Sequence, residues 1–478
     1  MSSSTSVIVV GGGPVGVAAG IACASRGFTV TIVEKATEIY DLPRAIVMDD
    51  EGQRALTLIG AGESLADITS PLPGAEFVDV AGTRIIGFEL PEGTLTGLGF
   101  PPVVRYYQPD LEAFLRSHAL AAGVTFLLGE EVTNVTQSDS GVIAGLASGT
   151  QLAADWLIAA DGAASPIRKA LGIRFDSHGF DQEWMVVDVR LHDGCEPTLP
   201  TMVQQICDPA RPTTFVPGHA RYRRWEFQLQ DGETRDEMAE PTRVWQLLSP
   251  WLTSDDASIV RAVVYRFHGT VASAMRSGRV FIAGDAAHQM PPFMGQGLCS
   301  GIRDAVNLAW KLDLVSSGQA GERLLDTYEE ERRPHAAGVV GHAIDTGRLI
   351  DQLAGCGGEQ ADLESAYGGQ RAFPHLEHGM RAGKHLLTGR QAPNITLADG
   401  RLLDTAAGAG FAVVLSGTAS ADSIDLNTWR ALGALVAEGS IPFADGVVVI
   451  RPDRSIASVS TTAAEFTEHT AHLMEFLG

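Results

Sequence analysis

The apolar positions of this chain change rhythm several times, and each change marks an element. Val7-Ile-Val-Val is a run of four β-branched residues, the pattern of a strand buried on both faces. A second apolar run, Phe28 to Val33, stops at Glu34. Helical spacing predicts helices over 51–66, after Arg105-Tyr-Tyr-Gln-Pro-Asp, and over 322–350. In the second of these, Asp110 is the expected N-cap. Leu111, Phe114, Leu115, His118, Ala119 and Ala122 share its apolar face, with His118 packed or half exposed there. Residues 75–104 read as strands with turn signals at Gly82-Thr83 and Pro91-Glu-Gly93. Val124 to Leu128 reads as a further strand, and 141–160 as a hairpin followed by the buried strand Trp156-Leu-Ile-Ala-Ala.

From 175 to 275 the pattern becomes alternating, as in Met185–Leu191, Arg223-Arg-Trp-Glu-Phe-Gln-Leu and Ala262–Phe267. This predicts an antiparallel sheet, a unit distinct from the parallel one. The parallel pattern then resumes at Val280-Phe-Ile-Ala, which delivers Gly284 and Asp285. Residues 289–300 are expected to form a loop, before a helix with Ala305, Leu308, Ala309 and Leu312 on its core stripe. Residues 355–392 are glycine-rich and irregular, and 393–478 carry a last α/β unit with strands near Phe411–Leu415 and Gly446–Ile450.

The first strand, break and second strand carry recognisable chemistry. Gly11, Gly13 and Gly16 form G-x-G-x-x-G. The first glycine permits a tight turn, the second lets a pyrophosphate approach the backbone, and the third lets helix and strand lie close. Pro14 suits a first helical turn, whose free N–H groups attract phosphate. Glu34 stands eighteen residues after Gly16, where a carboxylate accepts hydrogen bonds from a ribose. A carboxylate there favours an unphosphorylated ribose, hence FAD or NAD over NADP. Arg44 follows Pro43 and reads equally as a loop residue beside the nucleotide or as a solvated surface arginine. Asp161-Gly162, at a strand end before a helix start, suits the same ligand, although alone it is only a turn.

A chain of 478 residues accommodates two or three domains. Its net charge of -23 argues against nucleic acid and against an anionic membrane surface as partners. Cys23, Cys195, Cys207, Cys299 and Cys356 are odd in number and contain no C-x-x-C pair, so free thiols in a reducing cytoplasm are expected. No cysteine–histidine spacing supports a metal site. Neither a signal peptide nor an apolar span of membrane length is evident.

Together, Gly11-x-Gly13-x-x-Gly16, Asp161-Gly162 and Gly284-Asp285-Ala-Ala-His resemble, in order, the class A flavoprotein monooxygenases, the group around para-hydroxybenzoate hydroxylase. The run Pro292-Phe-Met-Gly-Gln-Gly-Leu-Cys-Ser-Gly-Ile-Arg-Asp-Ala-Val-Asn-Leu-Ala-Trp-Lys-Leu is highly specific to that family, and the likeness covers residues 5 to 350 well. The tail, including Val449-Ile-Arg-Pro-Asp, resembles the thioredoxin-like appendage of the phenol hydroxylase and 3-(3-hydroxyphenyl)propionate hydroxylase branch. Without C-x-x-C it would act structurally or as a dimer contact, so a homodimer is one expectation.

The resemblance implies an α/β fold with a Rossmann-like FAD-binding domain of glutathione-reductase type over 1–74, 101–178 and 276–355. An inserted antiparallel-sheet substrate domain would occupy 75–100 and 179–275, a linker 356–392, and the thioredoxin-like domain 393–478. It further implies that Gly11, Gly13, Pro14, Gly16, Glu34 and Lys35 hold the ADP half of FAD. Arg44, Gln108 and Val132 would meet the pyrophosphate and ribityl region, Asp161 both FAD and a passing NADPH, and Gly284-Asp285 the ribityl hydroxyls. Pro292 would border the substrate, while Gly295, Gly297, Leu298 and Cys299 would run along the isoalloxazine edge. Cys299 departs from the asparagine many relatives carry.

The activity implied is NAD(P)H- and O2-dependent hydroxylation of a phenolic ring through a flavin C4a-hydroperoxide, with a hydroxyphenylpropionate-like phenolic acid as substrate. A polycyclic polyketide aromatic, oxygen insertion beside a ketone, and a non-hydroxylating flavin-binding redox or regulatory protein are the alternatives. One G-x-G-x-x-G means that NAD(P)H binds transiently on a shared surface. The helix near Ser300 would aim its positive end at the flavin. For the base that ionises the phenol, His219, Tyr222 and Tyr265 are the candidates, with packing roles the plainer reading of each. Arg223 or Arg224 would pair a substrate carboxylate or be solvated, and His288 would orient backbone beside the flavin loop.

Overall fold

The computed structural model describes residues 5–39, 42–355, 374–417, 419 and 424–478. Its first unit is built on a six-stranded sheet in the order 276–277, 280–282, 156–159, 6–10, 29–34, 125–128, parallel except at the short first strand. The β-branched run is its centre, and Val7, Ile8, Val9 and Val10 are all buried. The helix Pro14–Ala24 is buried from Gly16 to Cys23, between this sheet and the helix Gly297–Ser316. That sandwich needs small residues: a Cβ on Gly20 would lie 2.8 Å from Ile32, and one on Gly301 would lie 2.4 Å from Val15.

The second unit is an eight-stranded sheet whose long central strands, Phe175–Leu191 and Ala257–Ala272, pair antiparallel. Gly74–Val78 and Arg84–Glu89 extend it. It is not purely antiparallel, because Val203–Ile206 runs parallel to Gly74–Val78. Trp225 and Phe227 turn away from the crevice to pack with Met238, Val244 and Leu248 of two short helices.

Several local expectations shift. The helix expected over 51–66 is Asp50–Leu58, capped by Asp49 and followed by a single 3-10 turn at Leu65–Asp67. The helix expected from Asp110 begins at Gln108, because Pro109 is already preorganised for a first turn. Asp110 therefore sits inside that turn, and Ala122 is exposed beyond the helix end. The loop expected to 300 contains a 3-10 turn at Pro292–Met294 and gives way to helix at Gly297.

The last unit is a four-stranded mixed sheet in the order 435–438, 412–416, 446–450, 456–460, covered by the helix Ala463–Met474. Of the linker expected over 356–392, residues 356–373, with Cys356, lie outside the described residues. Residues 374–392 are irregular yet bonded to this unit: Ala382 N–H donates to Ala457 and Gly389 N–H to Ile456, both at 2.8 Å. Among the described residues no helix is long and apolar enough to cross a membrane.

A buried ionic hub joins the last unit to the first. Glu331, on the helix Arg323–Leu353, receives both arms of Arg451 at 2.7 and 2.8 Å and Lys311 Nζ at 2.7 Å. Asp453 and Asn307 complete the cluster. Burial lowers Lys311 to about 8 despite Glu331, while Arg451 and Lys311 outweigh burial at Glu331 and hold its carboxyl below the usual range. Removing one partner from such a cluster leaves uncompensated charge. Glu331→Gln should therefore lower unfolding free energy by about 3–5 kcal/mol in chemical denaturation.

Candidate active site

The parallel strands end in register. Val10 lies opposite Val33 and Ala159, and Ala159 opposite Ile282. Gly11, Glu34, Asp161 and Asp285 consequently meet along one carboxyl-end edge, where open α/β sheets bind ligands. A crevice of about 610 Å³ runs along that edge and on to the face of the second sheet.

At the dinucleotide end the backbone is forced close. Gly11 has φ +105°, and a Cβ there would stand 2.2 Å from the Ala160 carbonyl oxygen. A Cβ on Gly16 would stand 1.9 Å from the Gly11 carbonyl oxygen, whereas nothing lies within 4 Å of the position a Gly13 Cβ would take. Gly13 is thus the open cradle before the helix, and Gly16 does not line the crevice but packs beneath it. Glu34 accepts from the N–H groups of Gly12 at 2.6 Å and Ala36 at 2.8 Å, which aims its carboxylate along the crevice. Pro14, Lys35, Arg44, Gln108 and Val132 also line it. Gln108 acts there through the backbone, its Oε1 accepting from Arg44 N–H at 2.9 Å and Ala45 N–H at 2.6 Å.

Asp161 and Asp285 follow. Asp161 Oδ2 accepts from Ile167 N–H at 3.3 Å, but Oδ1 is buried without a hydrogen-bond partner. Burial raises both carboxyls above their ordinary values. Asp285 is exposed to the crevice, and desolvation by the surrounding protein is the main cause of its rise. Gly284 does not line the crevice; its N–H donates to Asp304 Oδ2 at 3.0 Å, and His288 Nε2 lies 2.8 Å from the same oxygen. His288 is therefore a buried anchor for the turn carrying Asp285.

Beyond, Pro292, Gly295, Gly297 and Leu298 line the crevice. The helix starts at Gly297, so the first-turn N–H groups that lack intrahelical acceptors belong to 297–299 rather than to the region of Ser300. The Cys299 side chain is fully buried against Gly52 and Asp49, and burial holds its thiol well above its ordinary value. It does not line the crevice.

The second sheet supplies the far wall, with Phe77, Phe88, Gln205, Thr214, Arg224 and Glu226 among its residues. None of His219, Tyr222 and Tyr265 reaches the crevice. His219 Nδ1 lies 3.0 Å from Ser70 Oγ, Tyr222 stacks on Tyr107 at 3.9 Å, and Tyr265 covers the Arg261 guanidinium at 4.8 Å. Burial and the Arg105 cation also hold His219 below its ordinary value. Arg223 bonds to the carbonyls of Ala220 and Tyr222. Arg224 is taken up by Asp188, at 2.7 and 3.1 Å, and by the carbonyls of Arg44 and Pro43. Glu226, Thr214 and Gln205 carried no sequence expectation; the alternation Arg-Trp-Glu-Phe-Gln was a signal for Glu226 alone.

These residues fit a flavin dinucleotide: an open glycine cradle, an acid at the second strand end, and a buried carboxylate oxygen awaiting a donor. The family described as an FAD binding domain matches residues 4–343. This chain belongs to that family of FAD-dependent aromatic hydroxylases. It is 34% identical over 426 residues to a protein named probable NADH-specific resorcinol 4-hydroxylase, from Rhodococcus jostii, covering 86% of this chain and 79% of that one. It is 32% identical over 522 aligned positions to the 3-(3-hydroxy-phenyl)propionate/3-hydroxycinnamic acid hydroxylase of Escherichia coli, covering 96% and 92%. The fold matches the solved structure of aklavinone-11 hydroxylase with FAD and aklavinone, with TM-score 0.82, 21% identity and 100% of both chains covered.

Two outcomes follow from the geometry. Gly11→Ala should yield protein without FAD by visible absorbance, since both its φ and the Ala160 carbonyl oppose a side chain. Because the folded-state pKa of Asp161 is raised, ionising it costs stability. That cost is absent below the unfolded-state pKa and grows as pH rises towards the folded one. Asp161→Asn should therefore raise the melting temperature of FAD-free protein at neutral but not acid pH, while weakening FAD retention roughly tenfold.

Proposed function

We propose that this protein hydroxylates a small phenol, consuming NAD(P)H and O2. The observation that carries this reading is the continuity of one crevice, from the glycine cradle to a wall containing Phe77, Phe88, Pro292 and Phe293. Gly11, Gly13, Glu34, Asp161 and Asp285 would hold FAD, which when bound supplies hydride acceptance and oxygen activation. The chain's own work is positioning and shielding. Phe293 seats the glycine loop against Trp184 at 5.1 Å, and the aromatic wall excludes water from the reacting ring. The Gly297 helix end favours negative charge in the crevice by about 0.3–1 kcal/mol.

An uncharged phenol suits the wall, whose guanidinium, Arg224, already serves Asp188 and two carbonyls. A phenolic acid is the second reading, supported by the hydroxyphenylpropionate hydroxylase relative, which matches over 96% of the chain. The test is NADH and NADPH oxidation by the FAD-loaded protein with resorcinol or 3-(3-hydroxyphenyl)propionate, with product mass measured. Stimulation with one added oxygen is expected; indifference to both phenols would defeat the reading.

A further inference from the structure

Three adjacent strands place Gln205, Thr214 and Glu226 in one cross-strand row on the crevice face: Gln205 lies opposite Thr214, and Thr214 opposite Glu226. The Thr214 hydroxyl donates to Gln205 Oε1 at 2.5 Å, and Gln205 Nε2 donates to the Thr213 carbonyl at 3.3 Å. The Thr214 donor and one of the two Gln205 amide N–H groups are therefore used within the protein, and lone pairs on the Thr214 hydroxyl remain for the crevice. Glu226 is only 5% exposed, and that surface opens on the crevice. Among the described residues nothing donates a hydrogen bond to its carboxylate; its nearest cation, Arg224 Nη1, stands 3.9 Å away and is turned to Asp188 and the Arg44 carbonyl. A buried carboxylate left without a donor is costly unless a ligand supplies one. Glu226 and Thr214 thus stand on the wall as acceptors, and their complement is a ring bearing hydroxyl donors.

We propose that Glu226 receives the phenolic hydroxyl of the substrate and accepts its proton, with Thr214 accepting from a second hydroxyl. This rests on the phenol reading above and narrows it to an uncharged phenol with a second donor. In the step, the phenol O–H bond breaks, the proton passes to a Glu226 carboxylate oxygen, and the electron pair stays on the ring oxygen. The charged groups facing Glu226 are Arg224 on its own strand, Asp188 on Phe175–Leu191 and Arg261 on Ala257–Ala272. Burial raises its carboxyl to about 7, opposed by Arg224 and reinforced by Asp188, which suits a base working near neutrality.

Resorcinol binding to the oxidised, FAD-loaded protein, followed by the perturbation of flavin absorbance, tests this without turnover. Affinity should rise as pH climbs through about 7 and level off above it, because the ionised carboxylate is the better acceptor. E226Q, checked for FAD content, should bind resorcinol roughly tenfold more weakly and without that pH dependence. Glu226→Asp should restore part of both. 1,3-Dimethoxybenzene, which has the ring but no O–H, should bind weakly to every form. Adding NADH to the same samples should show kcat in E226Q reduced roughly a hundredfold, a larger loss than that in binding. Unchanged affinity and pH profile in E226Q, or dimethoxybenzene binding as tightly as resorcinol, would overturn the assignment, as would wild-type protein that binds no phenol. Wild-type protein that binds resorcinol with the expected pH dependence but forms no product would support the Glu226 site and defeat the hydroxylase reading instead.

Discussion

The site depends on one steric constraint: the backbone of Gly11 passes so near Ala160 that no side chain fits between them. That contact sets the spacing of the two central strands at the point where they release their loops. Gly16 repeats the demand one turn later against the Gly11 carbonyl, so the strand, turn and helix form a single close-packed corner. With this corner fixed, the in-register strand ends leave Glu34, Asp161 and Asp285 no choice but to face one crevice. Residues more than 120 positions apart in sequence thereby become neighbours around one ligand.

The second sheet is bound to this corner by charge. Arg224 and Arg261, aligned across strands through Asp188, both reach the Pro43 carbonyl, and Arg224 also holds that of Arg44. The loop carrying Arg44 is therefore gripped from the substrate side while Gln108 grips its N–H groups from the cofactor side. A guanidinium pair committed in this way to Asp188 and to loop carbonyls positions backbone and is poorly placed to recruit a free anion. The same sheet face turns Glu226 inward one step along the strand, which separates the structural charges from the one left for a ligand.

The dinucleotide half was legible because its rules are local. A β-branched run, a glycine turn, a helix and an acid each announce themselves within a few residues, as they do from Val7 to Glu34. The far wall was not legible for the opposite reason. Along Tyr222–Gln228 alternation is plain, but which face meets the crevice is decided by where Trp225 and Phe227 find Met238, Val244 and Leu248. Side-chain type alone pointed to His219, Tyr222 and Tyr265, all of which have partners elsewhere. Cys299 was misplaced by a boundary: the helix begins at Gly297 without a side-chain cap, so nothing in the sequence marked which way residue 299 turns.

The Glu331 hub gives the last unit a significance that its distance from the crevice would not suggest. Lys311 and Asn307 belong to the very helix whose opening turn borders the crevice, and their buried partners are Glu331 and, beyond the chain's irregular stretch, Asp453. The appendage is thus a keystone rather than a passenger. A shortened descendant that dispensed with it would have to rewrite the buried middle of the flavin unit first.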